Sequence, residues 1–205
     1  MSLVEWCEAK VARYDHCLVV SEFVNSFSNL AFFMAASSQQ HTSSNVAICL
    51  VGFGSFLFHA TESHIGQLMD EIPMSLVAYL YYINVCRLAN ISSRKPAYLL
   101  TMVCVWTAYI QYKVYPLFVT FFIGQLMLPV YMLCFLVRKN PRQIRELTLG
   151  SRFLAFSVCC WVWERHLYNA GRCPTELFDP RYYLHSYWHI GMAASHYHFM
   201  KCLTP

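Results

Sequence analysis

The sequence predicts an all-α fold, an integral membrane bundle of seven transmembrane helices. Hydrophobic residues make up 57% of the 205-residue chain and charged residues only 13%, too few to solvate a globular domain of this size. Aromatic residues reach 17%, which excludes an intrinsically disordered chain. The net charge is +4 and the basic residues are scattered, unlike the clustered positive charge of a nucleic-acid-binding protein. We therefore expect a single domain, residues 1–205, with a membrane as its solvent.

Seven segments are long and apolar enough to cross the core of a bilayer, which takes about 20 residues of helix. They are residues 20–38, 44–61, 68–88, 97–113, 115–137, 147–164 and 183–203. The fifth segment contains no charged residue. Glu22 and Asn25 interrupt the first segment, Asp70 and Glu71 the third, and four histidines the last. Because ionisable side chains are costly inside a membrane, these three segments are the places to look for function.

The positions of the basic residues predict the orientation of the bundle. Arg94 and Lys95 lie between the third and fourth segments, and four further basic residues lie in the loop 138–146. The positive-inside rule places both connections in the cytosol, so the N-terminal segment 1–19 is expected to be extracytosolic and the C-terminus cytosolic. The connection between the sixth and seventh segments then lies outside. Its arginines are accompanied by acidic residues such as Glu164. The acidic start of the chain is unlike a cleavable signal peptide, so the first helix is expected to target the protein itself.

Polar residues with regular spacing occur in three of the segments. Ser55 and His59 are four residues apart in the second segment, and His185 and His189 have the same spacing in the seventh, so each pair shares one helix face. Two imidazoles spaced in this way can bind one metal ion. Asp70 and the glutamate that follows it open the third segment. Taken alone, the serine and histidine pair also fits a capping role, and the carboxylates also fit an interaction with the helix dipole.

The predicted topology brings these residues to one side of the membrane. The end of the second segment and the starts of the third and seventh share the extracytosolic face. His59, His185 and His189 with one open position form the ligand set of a catalytic zinc, which lowers the pKa of a water molecule. Asp70 can take the proton of that water and Ser55 can stabilise an oxyanion, which predicts a hydrolase. The histidines that we expect to be structural are His64, His196 and His198.

These residues resemble those of the alkaline ceramidase family, within a superfamily of seven-helix proteins that share Ser-x3-His, a single Asp and a late His-x3-His. The matching stretches are residues 52–61, 67–74 and 185–190, with the opening residues 5–8 and the stretch 21–29. The resemblance implies an intramembrane amidase that hydrolyses ceramide to a sphingoid base and a fatty acid. His59, His185 and His189 would hold zinc, Asp70 would act as base and then as proton donor, and Ser55 would stabilise the oxyanion.

The resemblance also implies a calcium site on the extracytosolic side. Glu5, Glu8, Glu22 and the main-chain carbonyl of Trp6 match the family's pattern of calcium ligands. The chain departs from the pattern at Lys10, where the family has Asn. A cation at that position removes one oxygen ligand and repels the ion.

A disulfide and a cellular location are further implications of the resemblance. The family pairs an N-terminal cysteine with one in the loop between the sixth and seventh helices, and Cys7 and Cys173 are the candidates here. Both lie outside in the predicted topology. The family also suggests the endoplasmic reticulum or the Golgi, with a ceramide-type lipid as substrate, and no obligate protein partner is evident.

Three alternative functions are compatible with the same residues. A seven-helix receptor of the progestin and adipokine type would keep the zinc residues for signalling, although its N-terminus would be expected inside. A hydrolase of another acylated lipid, such as one that remodels glycolipid anchors, would use the same chemistry. A transporter or scaffold would only pair its polar residues with one another and would bind no stoichiometric metal.

Overall fold

The computed structural model describes residues 2–10, 20–37, 43–137, 140–174, 176 and 178–203. Within these ranges the protein is helical and contains no β-strand, which confirms the all-α prediction. In chain order the helices are α1 (Cys7–Lys10), α2 (Phe23–Ser28), α3 (Leu30–Ser37), α4 (Ser43–Thr61), α5 (His64–Leu88), α6 (Lys95–Tyr112), α7 (Tyr115–Leu136), α8 (Pro141–Asn169) and α9 (Leu184–Leu203). A 3₁₀ turn at Pro180–Tyr183 precedes α9.

Two of the helices, α4 and α7, are long and apolar enough to cross a membrane, judged by length and composition. They coincide closely with the predicted segments 44–61 and 115–137. The other long helices carry more polar or charged residues, as the carboxylates of α5 and the histidines of α9 illustrate. The structural support for a membrane protein therefore rests on α4 and α7.

The first predicted segment, 20–38, is divided into α2 and α3 at Asn29. The Asn29 side-chain amide donates to the carbonyls of Asn25 and Ser26 at 2.9 and 3.3 Å. A side chain that competes for main-chain acceptors in this way disfavours an uninterrupted helix. The break lies four residues beyond Asn25, and the hydropathy of the segment does not predict it.

The sixth predicted segment, 147–164, is shorter than the helix that contains it. α8 begins at Pro141, so most of the predicted basic loop is helical. The Asn140 side chain caps this helix by accepting from the N–H groups of Arg142 and Gln143. Proline at the first helical position needs no N–H partner, which suits it to this start.

Two glycines allow the closest contacts between helices. α4 packs along α5, and α8 packs along α9, as the two most extensive helix pairs. A Cβ atom at Gly54 would lie 1.9 Å from the carbonyl oxygen of Met69 on α5, and one at Gly191 would lie 2.1 Å from Ser157 Oγ on α8. Small residues are needed where helix backbones approach this closely. The serine after Gly54 and the aspartate after Met69 are thereby brought together.

The N-terminal segment lies across the end of the bundle where α4 ends and α5 begins. The N–H of Leu3 donates to Gln67 Oε1 at 2.7 Å, and the Trp6 side chain is only 3% exposed. A disulfide joins Cys7 to Cys173 across 166 residues, with their Cα atoms 5.2 Å apart. This is the pairing that the family resemblance implied, and it fastens the N-terminal segment to the loop before α9.

Replacing Gly54 by Ala should lower the thermal unfolding midpoint, because the new methyl group would push α4 away from α5. We expect a loss of about 1–3 kcal/mol, the usual cost of overpacking. The measurement is thermal unfolding of the purified protein in detergent. Gly124→Ala is the matched control, since a Cβ there meets nothing within 4 Å in the described part of the chain. Equal midpoints for the two variants would contradict the close contact.

Candidate metal centre

Three histidine side chains meet at one end of the bundle. His59 lies in the last turn of α4, and His185 and His189 lie in the first two turns of α9. All three are buried, with 1%, 3% and 2% of their surface exposed. One nitrogen from each ring lies within 4.8 Å of the other two, and among the described residues this is the group that could hold a metal ion. The structure therefore brings together the three predicted zinc ligands.

Two buried glutamates lie behind two of the rings. His59 Nδ1 donates to Glu22 Oε2, and His185 Nδ1 lies 3.1 Å from Glu164 Oε2. The exposed fraction of each glutamate is 1%. A carboxylate only accepts hydrogen bonds, so the bond to Glu22 favours the proton on His59 Nδ1 and leaves the lone pair on Nε2. The His185 contact lacks the alignment of a hydrogen bond, since neither of its two atoms has a partner among the described residues.

Ser28 has the equivalent position behind the third ring. Its Oγ atom lies 2.7 Å from His189 Nδ1, and its hydroxyl donates to the carbonyl of Asn25 at 2.7 Å. Because the hydroxyl proton is already used, Ser28 Oγ accepts from His189 Nδ1. In all three rings Nδ1 therefore faces a protein oxygen, and Nε2 faces the space between the rings.

Three Nε2 atoms that face one buried space suit a cation. His59 Nε2 and His185 Nε2 lie 3.2 Å apart. Two nitrogens bound to zinc at about 2.0–2.1 Å in a tetrahedral arrangement would be roughly 3.4 Å apart. The donor set, its spacing and the oxygens behind the rings thus fit zinc with three histidine ligands.

Ser55 and Asp70 lie beside the histidines. Ser55 Oγ is 3.4 Å from His189 Nε2, the nitrogen that faces the centre, and it lies beside the Asp70 carboxylate. The charge of Asp70 also acts on His59. A hydroxyl and a carboxylate therefore lie where a water molecule and a carbonyl group would meet the centre. Their chemical roles remain predictions.

A narrow pocket runs from the centre into the bundle. Ser55, Asp70 and His189 line one end of it, and Tyr81 and His196 line the other. The walls between these ends are apolar and include Val51, Met74, Val77, Phe122, Leu126 and Met192. The stretch of α5 from Asp70 to Tyr81 is about 16 Å long at 1.5 Å per residue. The pocket is small, with a volume of about 50 Å³, so a long acyl chain would fit only if its apolar walls moved apart.

The other histidines of α9 have partners away from the centre. His196 Nδ1 lies 2.6 Å from Tyr81 Oη, and His196 Nε2 lies 3.2 Å from Asn45 Oδ1. His198 Nδ1 lies 2.7 Å from Glu146 Oε2 on α8. Both side chains are thus held by protein groups, in agreement with the structural role that we expected.

The N-terminal segment covers the centre. The Trp6 ring lies against His185, with ring centroids 3.8 Å apart and planes inclined by 32°. The main-chain N–H of Cys7 donates to Glu164 Oε1 at 3.2 Å, so this segment also positions the carboxylate behind His185. The Arg165 guanidinium lies 5.2 Å from the Trp6 ring on this covered side. The segment thereby excludes water from one side of the histidine cluster.

Two of the acidic residues predicted to bind calcium are neighbours. Glu8 accepts from the main-chain N–H groups of Val24 and Asn25 at 2.7 and 2.8 Å. Burial raises the pKa of Glu8 to about 7, and the charge of Glu22 contributes to this shift. Asn25 Nδ2 also donates to Glu22 Oε2 at 3.1 Å. Both carboxylates are therefore satisfied by protein donors.

The third acidic residue predicted to bind calcium, Glu5, forms its hydrogen bonds with residues of α8. The Glu5 carboxylate accepts from the hydroxyl of Tyr168, and the Glu5 carbonyl accepts from Arg165 Nη1 at 2.7 Å. The side chain of Lys10 lies outside the described part of the chain. A calcium site formed by Glu5, Trp6, Glu8 and Glu22 stays a prediction.

The sequence did not reveal the three residues whose oxygens lie behind the histidine rings. The sequence predicts a calcium-binding role for Glu22 and a place in the outer connection for Glu164, and it gives Ser28 no role. Glu164 lies at the very end of a predicted membrane segment, where an ionisable residue is a signal of function. The role of Ser28 depends on packing between α2 and α9, which no spacing in the sequence encodes.

Sequence comparison relates this chain to known proteins over nearly its whole length. The profile of the ceramidase family matches residues 1–204. The chain is 26% identical to alkaline ceramidase 1 of Mus musculus over 209 residues, covering 92% of this chain and 74% of the relative. It is also 26% identical to alkaline ceramidase 1 of Homo sapiens over 210 residues, with 92% and 76% covered. The alkaline ceramidase of Drosophila melanogaster is 26% identical over 212 residues, with 92% and 71% covered. With a match over nearly its whole length, the chain belongs to the ceramidase family.

Proposed function

We propose that this protein is a zinc-dependent amidase of the membrane that hydrolyses ceramide to a sphingoid base and a free fatty acid. Membership of the ceramidase family supports a ceramide-hydrolysing enzyme. The observation that carries the zinc chemistry is the convergence of three Nε2 atoms on one buried space. Family membership also favours this function over the receptor, the hydrolase of another lipid and the transporter.

The residues around the centre suit hydrolysis of an amide. A zinc ion held by His59, His185 and His189 would act as a Lewis acid, lowering the pKa of a water molecule and polarising the amide carbonyl. Asp70 takes a proton from the attacking water as the new C–O bond forms. Ser55 donates its hydroxyl to the carbonyl oxygen as negative charge develops there. When the C–N bond breaks, Asp70 returns the proton to the leaving nitrogen, which gives a carboxylic acid and an amine.

The apolar lining of the pocket beside the centre suits the apolar part of a lipid, and its volume of about 50 Å³ means that a long chain would have to widen it. It begins at Ser55 and Asp70 and continues between apolar side chains such as Phe122, Leu126 and Met192. Burial of methylene groups in such a pocket is favourable by roughly 0.8 kcal/mol each. A chain held there places its polar end, and hence the amide bond, beside the histidines.

The seven-span topology and its orientation belong to the same proposal. α2 with α3 forms the first span, and α4 to α9 form the other six. The disulfide between Cys7 and Cys173 suits an oxidising compartment, which supports a lumenal N-terminus. Arg94 and Lys95 then lie on the cytosolic side with the C-terminus. The endoplasmic reticulum and the Golgi are the compartments that we propose.

Replacing His189 by Ala should remove both bound zinc and turnover, because two histidines are too few for a closed zinc site. Zinc content measured by mass spectrometry should fall from about one ion per chain to none, with unchanged expression. His198→Ala is the matched control from the same helix, since its ring contacts Glu146 instead. It should keep zinc and activity. If His189→Ala still releases fatty acid from ceramide at the normal rate, the zinc mechanism is wrong.

Replacing Asp70 by Asn should separate metal binding from proton transfer. The amide has the size of the carboxylate but cannot accept and return a proton. We expect zinc content to be unchanged and kcat to fall by about 10²–10⁴-fold, the usual contribution of a general acid–base residue. The assay is release of fatty acid from ceramide in detergent micelles. Full activity in this variant would remove Asp70 from the acid–base role.

Replacing Glu164 by Gln should weaken zinc binding by about 10–100-fold, the typical effect of losing a carboxylate behind a ligating histidine. Glutamine keeps an oxygen for the N–H of Cys7, so the fold should be retained. Competition with a zinc-chelating dye measures the affinity. Glu146→Gln is the control, because it alters a glutamate beside a histidine on the same two helices, away from the centre. Equal zinc affinities in the two variants would show that Glu164 does not support the ligand.

A further inference from the structure

A second cavity lies on the other side of α7 from the metal centre. Phe122 and Leu126 of this helix line the narrow pocket described above. Phe121, Gln125 and Leu128 line the second cavity, a crevice of about 440 Å³ between α5, α6 and α7. This volume is far larger than an ion requires and lies within the usual range of ligand sites. The two cavities are thus separated by a single helix.

An unsatisfied polar side chain faces this crevice. Gln125 is 5% exposed, and neither of its amide atoms has a hydrogen-bond partner within the part of the chain that the structure describes. The Tyr98 hydroxyl lies beside this amide, and it too lacks a bond of good geometry. Burying an unpaired amide costs about 1–3 kcal/mol, and within a bilayer no bulk water can satisfy it. A ligand with both donors and acceptors would remove this cost.

A positive charge lies at the mouth of the same crevice. Arg94 directly precedes α6, lines the crevice and is exposed. Its charge acts on the hydroxyl of Tyr82, which accepts from the Arg94 main-chain N–H at 3.3 Å. The Tyr82 and Tyr98 rings are stacked with centroids 5.1 Å apart, which fixes the two hydroxyl groups along one wall.

Along the crevice, a cation, hydrogen-bonding groups and apolar side chains occur in the same order as the phosphate, ester and acyl chain of a phospholipid. Arg94 comes first at the membrane boundary, and Tyr98 lies one helical turn further into α6, beside the Gln125 amide. Phe121 and Leu128 add apolar surface from α7. A phosphate, an ester carbonyl and an acyl chain would meet these groups in that sequence.

We propose that this crevice binds an anionic glycerophospholipid as an accessory lipid, separate from the substrate. Its phosphate lies at Arg94, an ester carbonyl accepts from Gln125 Nε2 and Tyr98 Oη, and one acyl chain lies against Phe121 and Leu128. Anionic lipids are enriched in the cytosolic leaflet, the side on which Arg94 lies in the proposed topology. The proposal rests on that orientation and does not depend on the chemistry at the histidines.

Lipid titration of the full-length protein in dodecyl maltoside tests the proposal, with bound lipid counted by native mass spectrometry. Dioleoylphosphatidylglycerol should bind at least about fivefold more tightly than dioleoylphosphatidylcholine, since one cation near a headgroup contributes a factor of this order. Arg94→Gln should abolish the preference and leave phosphatidylcholine binding unchanged. Lys95→Gln removes the same charge one residue away, outside the crevice lining, and should keep the preference.

Gln125→Leu gives a second and independent measurement. It should weaken the binding of both lipids, because their ester carbonyls are the same. In lipid-free detergent its unfolding midpoint should equal or exceed that of the unchanged protein, since an unpaired buried amide has been removed. A purely structural glutamine would instead give a lower midpoint and unchanged lipid binding, which would overturn the proposal.

Three further outcomes would overturn the proposal. The first is equal binding of the two lipids by the unchanged protein. The second is an equal loss of preference in Lys95→Gln and Arg94→Gln, which would indicate diffuse surface charge. The third is stabilisation by millimolar inorganic phosphate as large as that by phosphatidylglycerol, which would indicate a site for free anions. Measured zinc content and ceramide turnover of the same samples keep this result separate from a failure of the proposed catalytic function.

Discussion

The placement of three imidazole rings is the constraint on which the candidate site depends. An oxygen lies behind each ring, and the three oxygens come from Glu22 before α2, Ser28 at the end of α2 and Glu164 on α8. These parts of the chain are far apart in sequence and meet only through the packing of α2, α4, α8 and α9. The bundle therefore contributes to the site by holding acceptors in place, and not only by delivering the ligands. The Nδ1 atoms of His59 and His189 are bonded in this way, whereas His185 Nδ1 and Glu164 Oε2 face each other without a hydrogen-bond partner among the described residues.

The three histidine ligands could be predicted because their positions follow from local spacing and from the order of the predicted segments. His185 and His189 are one turn apart on one helix, and the alternation of the predicted segments places the end of the second and the start of the seventh on one side. The partners behind the rings could not be predicted in the same way. Ser28 is unremarkable in sequence, and Glu164 resembles a charge at the edge of a membrane segment. Ser28 contacts His189, which lies 161 residues further along the chain, and Glu164 of α8 contacts His185 of α9. Such contacts are set by tertiary packing.

The positions of the helices could also be predicted only in part from the sequence. Hydropathy located the apolar interiors of α4 and α7 closely, whereas it missed the break at Asn29 and the start of α8 at Pro141. Both are decided by single side chains that bond the backbone, which a window of about 20 residues averages away. The same averaging hides the two faces of α7. One face of α7 lines the pocket beside the histidines, and the other face places the buried Gln125 amide at the crevice between α5, α6 and α7. The sequence of the helix is nevertheless almost entirely apolar.

The link between Cys7 and Cys173 sets an order on biogenesis. A ribosome releases Cys7 at the outset, but its partner emerges only after all helices except the last have been made. Until then the tryptophan that covers His185 and the peptide N–H that holds Glu164 have no fixed place. Formation of the disulfide is an oxidation, and it can occur only after Cys173 has been made. Covering of the centre by the N-terminal segment is therefore a late step in the formation of the fold.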